Sequence, residues 1–209
     1  GAGQESMFSW ELYRIFGAFP AVLDRHVTEF FPATLGKGAY YGKTLGMDVF
    51  SFEATIAHGD AVYAEMERQA RGESAIDERI FDRAPGEHEQ LLEILHALWE
   101  DRGTIFSVNL PNKGQVNNLP REAILETPAM ATGNGFKPLA IGDLPAGLAA
   151  IMNRVVGVHE ITAEAALRGD RQLLLQALLA DGAVTQVETA ERLADEMLTA
   201  HKAYLLTLR

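Results

Sequence analysis

The densest group of ionisable side chains lies between Asp24 and Pro32. The segment Asp24-Arg25-His26-Val27-Thr28-Glu29-Phe30-Phe31-Pro32 places two carboxylates, a guanidinium and an imidazole within six residues. Aromatic neighbours desolvate such groups in part, so their charges interact strongly and their pKa values can shift. Sugar hydroxyls bind to charged donors and acceptors of this kind beside aromatic side chains. A structural cluster of ion pairs on a turn has the same composition, and residue types alone favour that second interpretation.

Two adjacent tyrosines, Tyr40 and Tyr41, stand among the glycines of residues 36–43. Glycine lets the backbone approach a ligand closely, and a tyrosine hydroxyl can donate hydrogen bonds or act as a base when its pKa falls. An ordinary surface loop has the same composition. Asn109 and Asn112 flank Pro111, where asparagine usually serves the turn itself.

The charge balance and the composition exclude several classes of protein. Twenty-nine acidic side chains against 18 basic ones give a formal net charge of −11, which repels phosphate backbones, so we expect no nucleic-acid partner. The chain has no cysteine and hence no thiolate ligand or nucleophile. No apolar run reaches the roughly 20 residues of a membrane span, and the N-terminus lacks the features of a secretory signal. We therefore expect a cytoplasmic protein with no membrane partner.

Apolar periodicity predicts helices in the first half of the chain. One is expected near residues 10–16, a second over 48–70 and a third over 91–99. Between the first two, residues 24–46 are predicted to be irregular, and 72–86 to be a polar connection.

The second half predicts a small sheet followed by helices. Extended segments are expected at 104–110, 123–127 and 137–141. Helices follow from Pro145 onward, with breaks at Gly169-Asp170 and Asp181-Gly182 and a last helix whose apolar face runs to Tyr204. The prediction is a single α+β domain over residues 1–209, mostly helical, with a small central mixed or antiparallel sheet.

The chain contains no G-x-G-x-x-G, Walker, H-E-x-x-H or G-x-S-x-G motif. Five stretches in order nevertheless resemble glycoside hydrolase family 4, the glycosidases that use NAD and a divalent metal. They are Leu12–Gly17 followed by Asp24–Pro32, Val108–Pro120, Glu126-Thr127-Pro128, Gly142-Asp143-Leu144-Pro145 and Glu196–Leu205. The amino-acid sequence of the Asp24–Pro32 stretch is more similar to the α-galacturonidase and α-galactosidase-type members than to the phosphoglycosidases.

The resemblance implies a C-terminal, substrate-side domain like that of the family 4 and lactate dehydrogenase-like proteins. The family's Rossmann domain, which binds NAD, and its metal-binding cysteine and histidine lie upstream of the matched region, so we expect them to be absent here. NAD and Mn²⁺ would serve the complete enzyme, with neither bound tightly by this chain alone. A missing Rossmann domain is then a possible partner, besides the sugar or glycoside substrate.

The resemblance also implies a mechanism. NAD oxidises the C3 hydroxyl of the sugar, a base removes the acidified C2 proton, the C1 substituent is eliminated, water adds, and the hydride returns. Tyr40, Tyr41 and Asp24 are the candidate bases, and the choice among them stays open. The resemblance places His26 and Glu29 at the sugar and metal edge, with His26 as a candidate metal ligand. Arg25 faces a substrate anion, and Asn109 and Asn112 join the substrate-binding residues.

Two functions compete at this point. The chain is either the substrate-side portion of a glycosidase, inactive alone, or a truncated, non-catalytic homologue that serves as an assembly or sugar-binding module. We also expect a homodimer or larger oligomer, because leucines nearly encircle one short helix, which must then be buried. They are Leu173, Leu174, Leu175, Leu178 and Leu179.

Overall fold

A computed structural model describes residues 7–21, 24–32, 52–78 and 90–205. Its elements fall into two compact units. The helical unit holds α1, α2, residues 111–123 and the three C-terminal helices, α5 to α7. The sheet unit holds α3, α4 and the three strands, except for the last residue of β1. The predicted α+β class and the predominance of helix are confirmed, whereas a single domain over 1–209 stays a prediction.

The helical unit begins with α1 (Met7–Phe16) and the short α2 (Asp24–Val27), which a 3-10 turn continues over Thr28–Phe30. Phe8 and Leu12, one helical turn apart, are buried with Val27 in a small core. Gly17 ends α1 with a φ of +72°, as predicted, because glycine adopts this conformation at little cost. The prediction of an irregular segment is wrong for residues 24–30. These turns are too short to show a periodic pattern, and tertiary contacts hold them.

Three helices complete this unit: α5 (Ala146–Arg168), α6 (Arg171–Asp181) and α7 (Val187–Ala200). Both predicted breaks are confirmed. Gly169 and Gly182 adopt φ of +65° and +87°, and the Asp170 carboxylate accepts hydrogen bonds from the amides of Gln172 and Leu173. The last helix is shorter than predicted, since it ends at Ala200 and Tyr204 is 88% exposed beyond it.

The sheet unit contains α3 (Phe52–Ala70), α4 (Gln90–Trp99), β1 (Ile105–Pro111), β2 (Ile124–Thr132) and β3 (Gly135–Pro138). The strands are ordered β1-β2-β3 and form an antiparallel sheet. β2 and β3 pair from Ala129 opposite Pro138 to Thr132 opposite Gly135. Ala97, Phe106 and Ala131 form the core between α4 and the sheet. The third strand begins earlier than predicted, because Gly133 and Asn134 form the tight turn that starts the pairing.

Apolar periodicity predicted both helices of the sheet unit correctly, but several of the apolar residues on their faces are exposed in the structure. Ile56, Tyr63 and Met66 of α3 are 62%, 74% and 52% exposed, and Trp99 of α4 is 90% exposed. Among the residues described, no helix has both the length and the apolar character that a membrane span requires.

Candidate functional site

Asp24 joins the candidate segment to the start of α1. Its Oδ2 accepts from the Phe8 amide at 2.9 Å, and its Oδ1 accepts from the Ser9 amide at 2.9 Å and the Ser9 hydroxyl at 2.6 Å. The first amides of a helix have no partner within the helix, and a carboxylate there also meets the positive end of the helix dipole. Asp24 is only 8% exposed, and Ser9 is fully buried. The carboxylate therefore serves as a helix cap supplied from the next helix.

His26 and Glu29 stand one turn further along the segment and face solvent. The His26 Nδ1 lies 3.4 Å from the Glu29 Oε1, and the two side chains are 45% and 67% exposed. Asp24 is buried within the same helix, whereas His26 and Glu29 are accessible to a ligand. The three residues are close in sequence, but in the structure Asp24 is buried against α1, whereas His26 and Glu29 are accessible to solvent.

Aromatic packing holds the end of the segment. The Phe31 ring lies 5.5 Å from Phe8, edge to face, and 6.2 Å from Phe16. The Phe30 carbonyl accepts a hydrogen bond at 2.8 Å from the guanidinium of Arg154 in α5. Segment 24–32 is thus attached to α1 at its start and to α5 at its end.

Asn112 organises the loop that follows β1. It is fully buried, and its Nδ2 donates to the carbonyls of Val116, Leu119 and Pro120 at 2.9, 3.1 and 3.1 Å. Its Oδ1 accepts from the amides of Gly114 and Val116 at 3.2 Å. Both ends of the side chain are therefore engaged within the loop, in agreement with the turn-forming role of asparagine.

Asn118 connects this loop to the start of α5. Its Nδ2 donates to the Leu144 carbonyl at 2.7 Å, and its Oδ1 accepts from the Leu144 amide at 2.9 Å. Its own carbonyl accepts at 3.2 Å from Asn153 Nδ2 in α5. Consecutive residues of one helix, Asn153 and Arg154, thus bind the loop and the candidate segment.

The remaining candidates are placed less fully. Asn109 is exposed on β1 within the sheet unit. Arg25 occupies the second position of α2, and its side chain lies outside the described part of the structure. Tyr40 and Tyr41 lie outside the described residues altogether. Ser9, Asn118 and Arg154 were missed as contributors. Of these three residues, only Asn118 could have been found from the sequence, because it lies within the Val108–Pro120 stretch that resembles the family.

The carboxylates with clearly lowered pKa values belong to the sheet unit. Hydrogen bonds from Gln69, Arg68 and Ser74 lower the pKa of Glu65 from 4.5 to about 2. A hydrogen bond from Arg102 lowers the pKa of Glu100. Glu65 lies in the C-terminal part of α3 and Glu100 follows α4, and their partners lie within nine residues of them. These shifts therefore reflect local hydrogen bonding and ion pairing.

The residues that the structure describes do not form a complete metal site. Within residues 7–21, 24–32, 52–78 and 90–205, no three His, Cys, Asp or Glu side chains converge into a group that could hold a metal ion. His26 and Glu29 supply two donors, which is fewer than the about three protein ligands of a catalytic zinc site. The sequence has no G-x-G-x-x-G turn to bind a pyrophosphate. The described residues fit the edge of such a site.

Comparison with known proteins identifies a family model that matches most of the chain. Residues 2–184 match the model of the family 4 glycosyl hydrolase C-terminal domain. The chain is 35% identical over 194 residues to an α-galacturonidase of Bacillus subtilis (strain 168), covering 91% of this chain and 41% of that protein. The chain therefore spans about two fifths of the length of this relative.

Two solved structures are similar as well. The crystal structure of lplD from Bacillus subtilis superposes with a TM-score of 0.73 at 31% identity, covering 91% of this chain and 42% of the other. A 6-phospho-beta glucosidase from Thermotoga maritima, solved with manganese, NAD+ and glucose-6-phosphate, gives a TM-score of 0.51 at 30% identity. That match covers 54% of this chain and 28% of the other.

Proposed function

This chain belongs to the family 4 glycosyl hydrolases, as their C-terminal domain, and from that premise we propose that it is the substrate-side portion of an NAD- and metal-dependent glycosidase. In this proposal the complete protein hydrolyses O-glycosyl bonds by oxidation, elimination, addition and reduction, and this chain alone is inactive. The observation that carries the proposal is the exposed His26–Glu29 pair on an anchored segment.

The arrangement of the helical unit supports this assignment. A sugar needs polar groups that are accessible and yet fixed in direction. His26 and Glu29 are accessible, while Asp24 and Phe31 are packed against α1. The loop 112–120 and the turn 142–145 are joined through Asn118, so other stretches of the family pattern are held within the same unit.

Of the three candidate bases, the described part of the structure bears on Asp24. A general base needs a lone pair directed at the substrate. Asp24 is buried and accepts three hydrogen bonds from α1, so its lone pairs are largely committed to the helix. We therefore assign the base to Tyr40 or Tyr41 and give Asp24 a supporting role.

The cofactors belong to the complete protein. The related Thermotoga maritima structure contains manganese and NAD+, and we propose the same pair for the whole enzyme. NAD would accept a hydride from the sugar, and the metal would polarise the oxygen that becomes a ketone. This chain would contribute His26 to the metal edge and Glu29 to the sugar, with Arg25 facing the anionic group.

The similarity to an α-galacturonidase of Bacillus subtilis favours a uronide substrate. The test is an assay of the full-length protein with NAD, Mn²⁺ and a reductant on two substrates, an α-galacturonide and a 6-phospho-glucoside. We expect turnover of the galacturonide, and none by this chain alone. Turnover by the isolated chain that survives repurification would contradict the proposal. A full-length protein that binds galacturonic acid without turnover would support a non-catalytic sugar-binding module instead.

A further inference from the structure

Arg154, in the middle of α5, binds two backbone carbonyls that are far apart in sequence. Its Nη2 donates to the Phe30 carbonyl at 2.8 Å, and its Nη1 donates to the Asp181 carbonyl. The guanidinium also lies 3.9 Å from the Asp181 Oδ1, and the side chain is 29% exposed. One side chain therefore joins the end of the candidate segment to the end of α6.

These two carbonyls need a donor from outside their own elements. Phe30 is the last residue of the 3-10 turn, and Asp181 is the last residue of α6. The last carbonyls of a helix have no partner within it, and the negative end of the α6 dipole favours a cation. A planar guanidinium with five donors can serve both carbonyls at once, whereas a lysine ammonium acts as a compact point charge.

The last residue of the segment also lies close to the end of α6. A Cβ placed on Gly182 would lie 3.5 Å from the Pro32 Cγ, within van der Waals distance. At the other end, Asp24 is bonded to the start of α1. His26 and Glu29 lie between these two attachments.

We infer that Arg154 is a positioning residue, which holds the His26–Glu29 pair at a fixed place for the substrate by securing the Phe30 end of the segment. This inference rests on the proposed function, because that function places the sugar at His26 and Glu29. Arg154 touches neither the substrate nor the cofactor in this account and acts only through segment 24–32.

The first test measures amide hydrogen exchange of this chain in Arg154→Ala, with Arg171→Ala as the matched control. Arg171 is also on the helical unit and 30% exposed, and it pairs with Asp195 of α7 at 2.7 Å. Loss of one or two hydrogen bonds to carbonyls should speed exchange in residues 24–32 at least ~10-fold in Arg154→Ala. The control should leave those amides unchanged.

The second test measures turnover of an α-galacturonide by the full-length protein. We expect Arg154→Ala to lower kcat by about 10- to 100-fold, with a smaller change in KM. A displaced segment should disturb the alignment of the reacting groups more than it weakens substrate binding. Arg154→Lys should fall between the wild type and Arg154→Ala. Millimolar guanidinium should restore part of the kcat of Arg154→Ala and should have no such effect on Arg171→Ala.

The outcomes separate the inference from the proposed function. Unchanged exchange in residues 24–32 of a folded Arg154→Ala, or unchanged exchange in Arg154→Lys if the alanine variant does not fold, overturns the inference and leaves the proposed function standing. Faster exchange with wild-type kcat overturns it as well. A wild-type full-length protein without glycosidase activity contradicts the proposed function, and the exchange result then decides alone whether Arg154 secures the segment.

Discussion

Ser9 donates twice to one oxygen of Asp24, from its amide at 2.9 Å and from its hydroxyl at 2.6 Å. Fifteen residues separate the two in sequence, and both are buried. A helix start is thereby capped by a carboxylate that begins the next helix. This bond links the stability of α1 to the position of the segment that carries His26 and Glu29.

Replacing the partners of this bond should lower the free energy of unfolding in a graded way. Asp24→Ala removes the acceptor of three hydrogen bonds from Phe8 and Ser9, and we expect a loss of about 2–3 kcal/mol. Asp24→Asn keeps one acceptor oxygen and should cost less, and Ser9→Ala should cost about 1 kcal/mol. Urea unfolding of the three variants measures this. Equal stability of Asp24→Ala and the wild type would refute the capping role.

The lowered pKa of Glu65 predicts an acid-sensitive end of α3. Hydrogen bonds from Gln69, Arg68 and Ser74 lower the pKa of this carboxyl from 4.5 to about 2 in the folded chain. A lowered folded pKa stabilises the fold above about pH 4.5, and this contribution is lost as the pH falls toward 2. We therefore expect Glu65→Gln to lose less stability than the wild type between pH 5 and pH 3. Titration of the Glu65 carboxyl by NMR should give a midpoint near 2, and a midpoint at or above 4.5 would contradict the three hydrogen bonds.

The isolated chain should not bind NAD. Its sequence contains no G-x-G-x-x-G motif, the turn that receives the pyrophosphate in dinucleotide-binding domains. Titration calorimetry with NAD should show no heat of binding at micromolar concentrations of the dinucleotide. Micromolar affinity for this chain alone would overturn its assignment to the substrate side.

We predict a dimer or larger oligomer in solution. Of the leucines expected to encircle α6, Leu179 is 38% exposed. In α4, three further apolar residues are exposed, namely Leu92 (68%), Leu95 (51%) and Trp99 (90%). Exposed apolar surface of this kind favours association. Light scattering at tens of micromolar should give at least twice the mass of 22.8 kDa, and a monomer mass would argue against the prediction.

The features that the sequence predicted well are those governed by local backbone chemistry. Gly17, Gly169 and Gly182 end helices because positive φ suits glycine, and Asp170 caps α6 through its immediate neighbours. The order of helices and strands follows from apolar periodicity in the same local way.

The features that it missed depend on contacts between distant parts of the chain. Asp24 is a candidate base in the sequence prediction, but its carboxylate accepts hydrogen bonds from Phe8 and Ser9 of another helix. Arg154 resembles any arginine on a helix surface until folding brings it to Phe30, 124 residues away. The stripe on α3 predicted a helix correctly, yet periodicity does not specify what covers an apolar face.

The most direct test of the account replaces His26 and Glu29 singly by alanine in the full-length protein. Because the His26 side chain is 45% exposed and the Glu29 side chain 67% exposed, each change should alter the free energy of unfolding by no more than about 1 kcal/mol. Turnover of an α-galacturonide should nevertheless fall by at least ~10²-fold, the scale of a lost acid–base or electrostatic group. Full turnover in both variants, or a loss of about 3–5 kcal/mol in stability from either, would show that the pair is structural and that the substrate binds elsewhere.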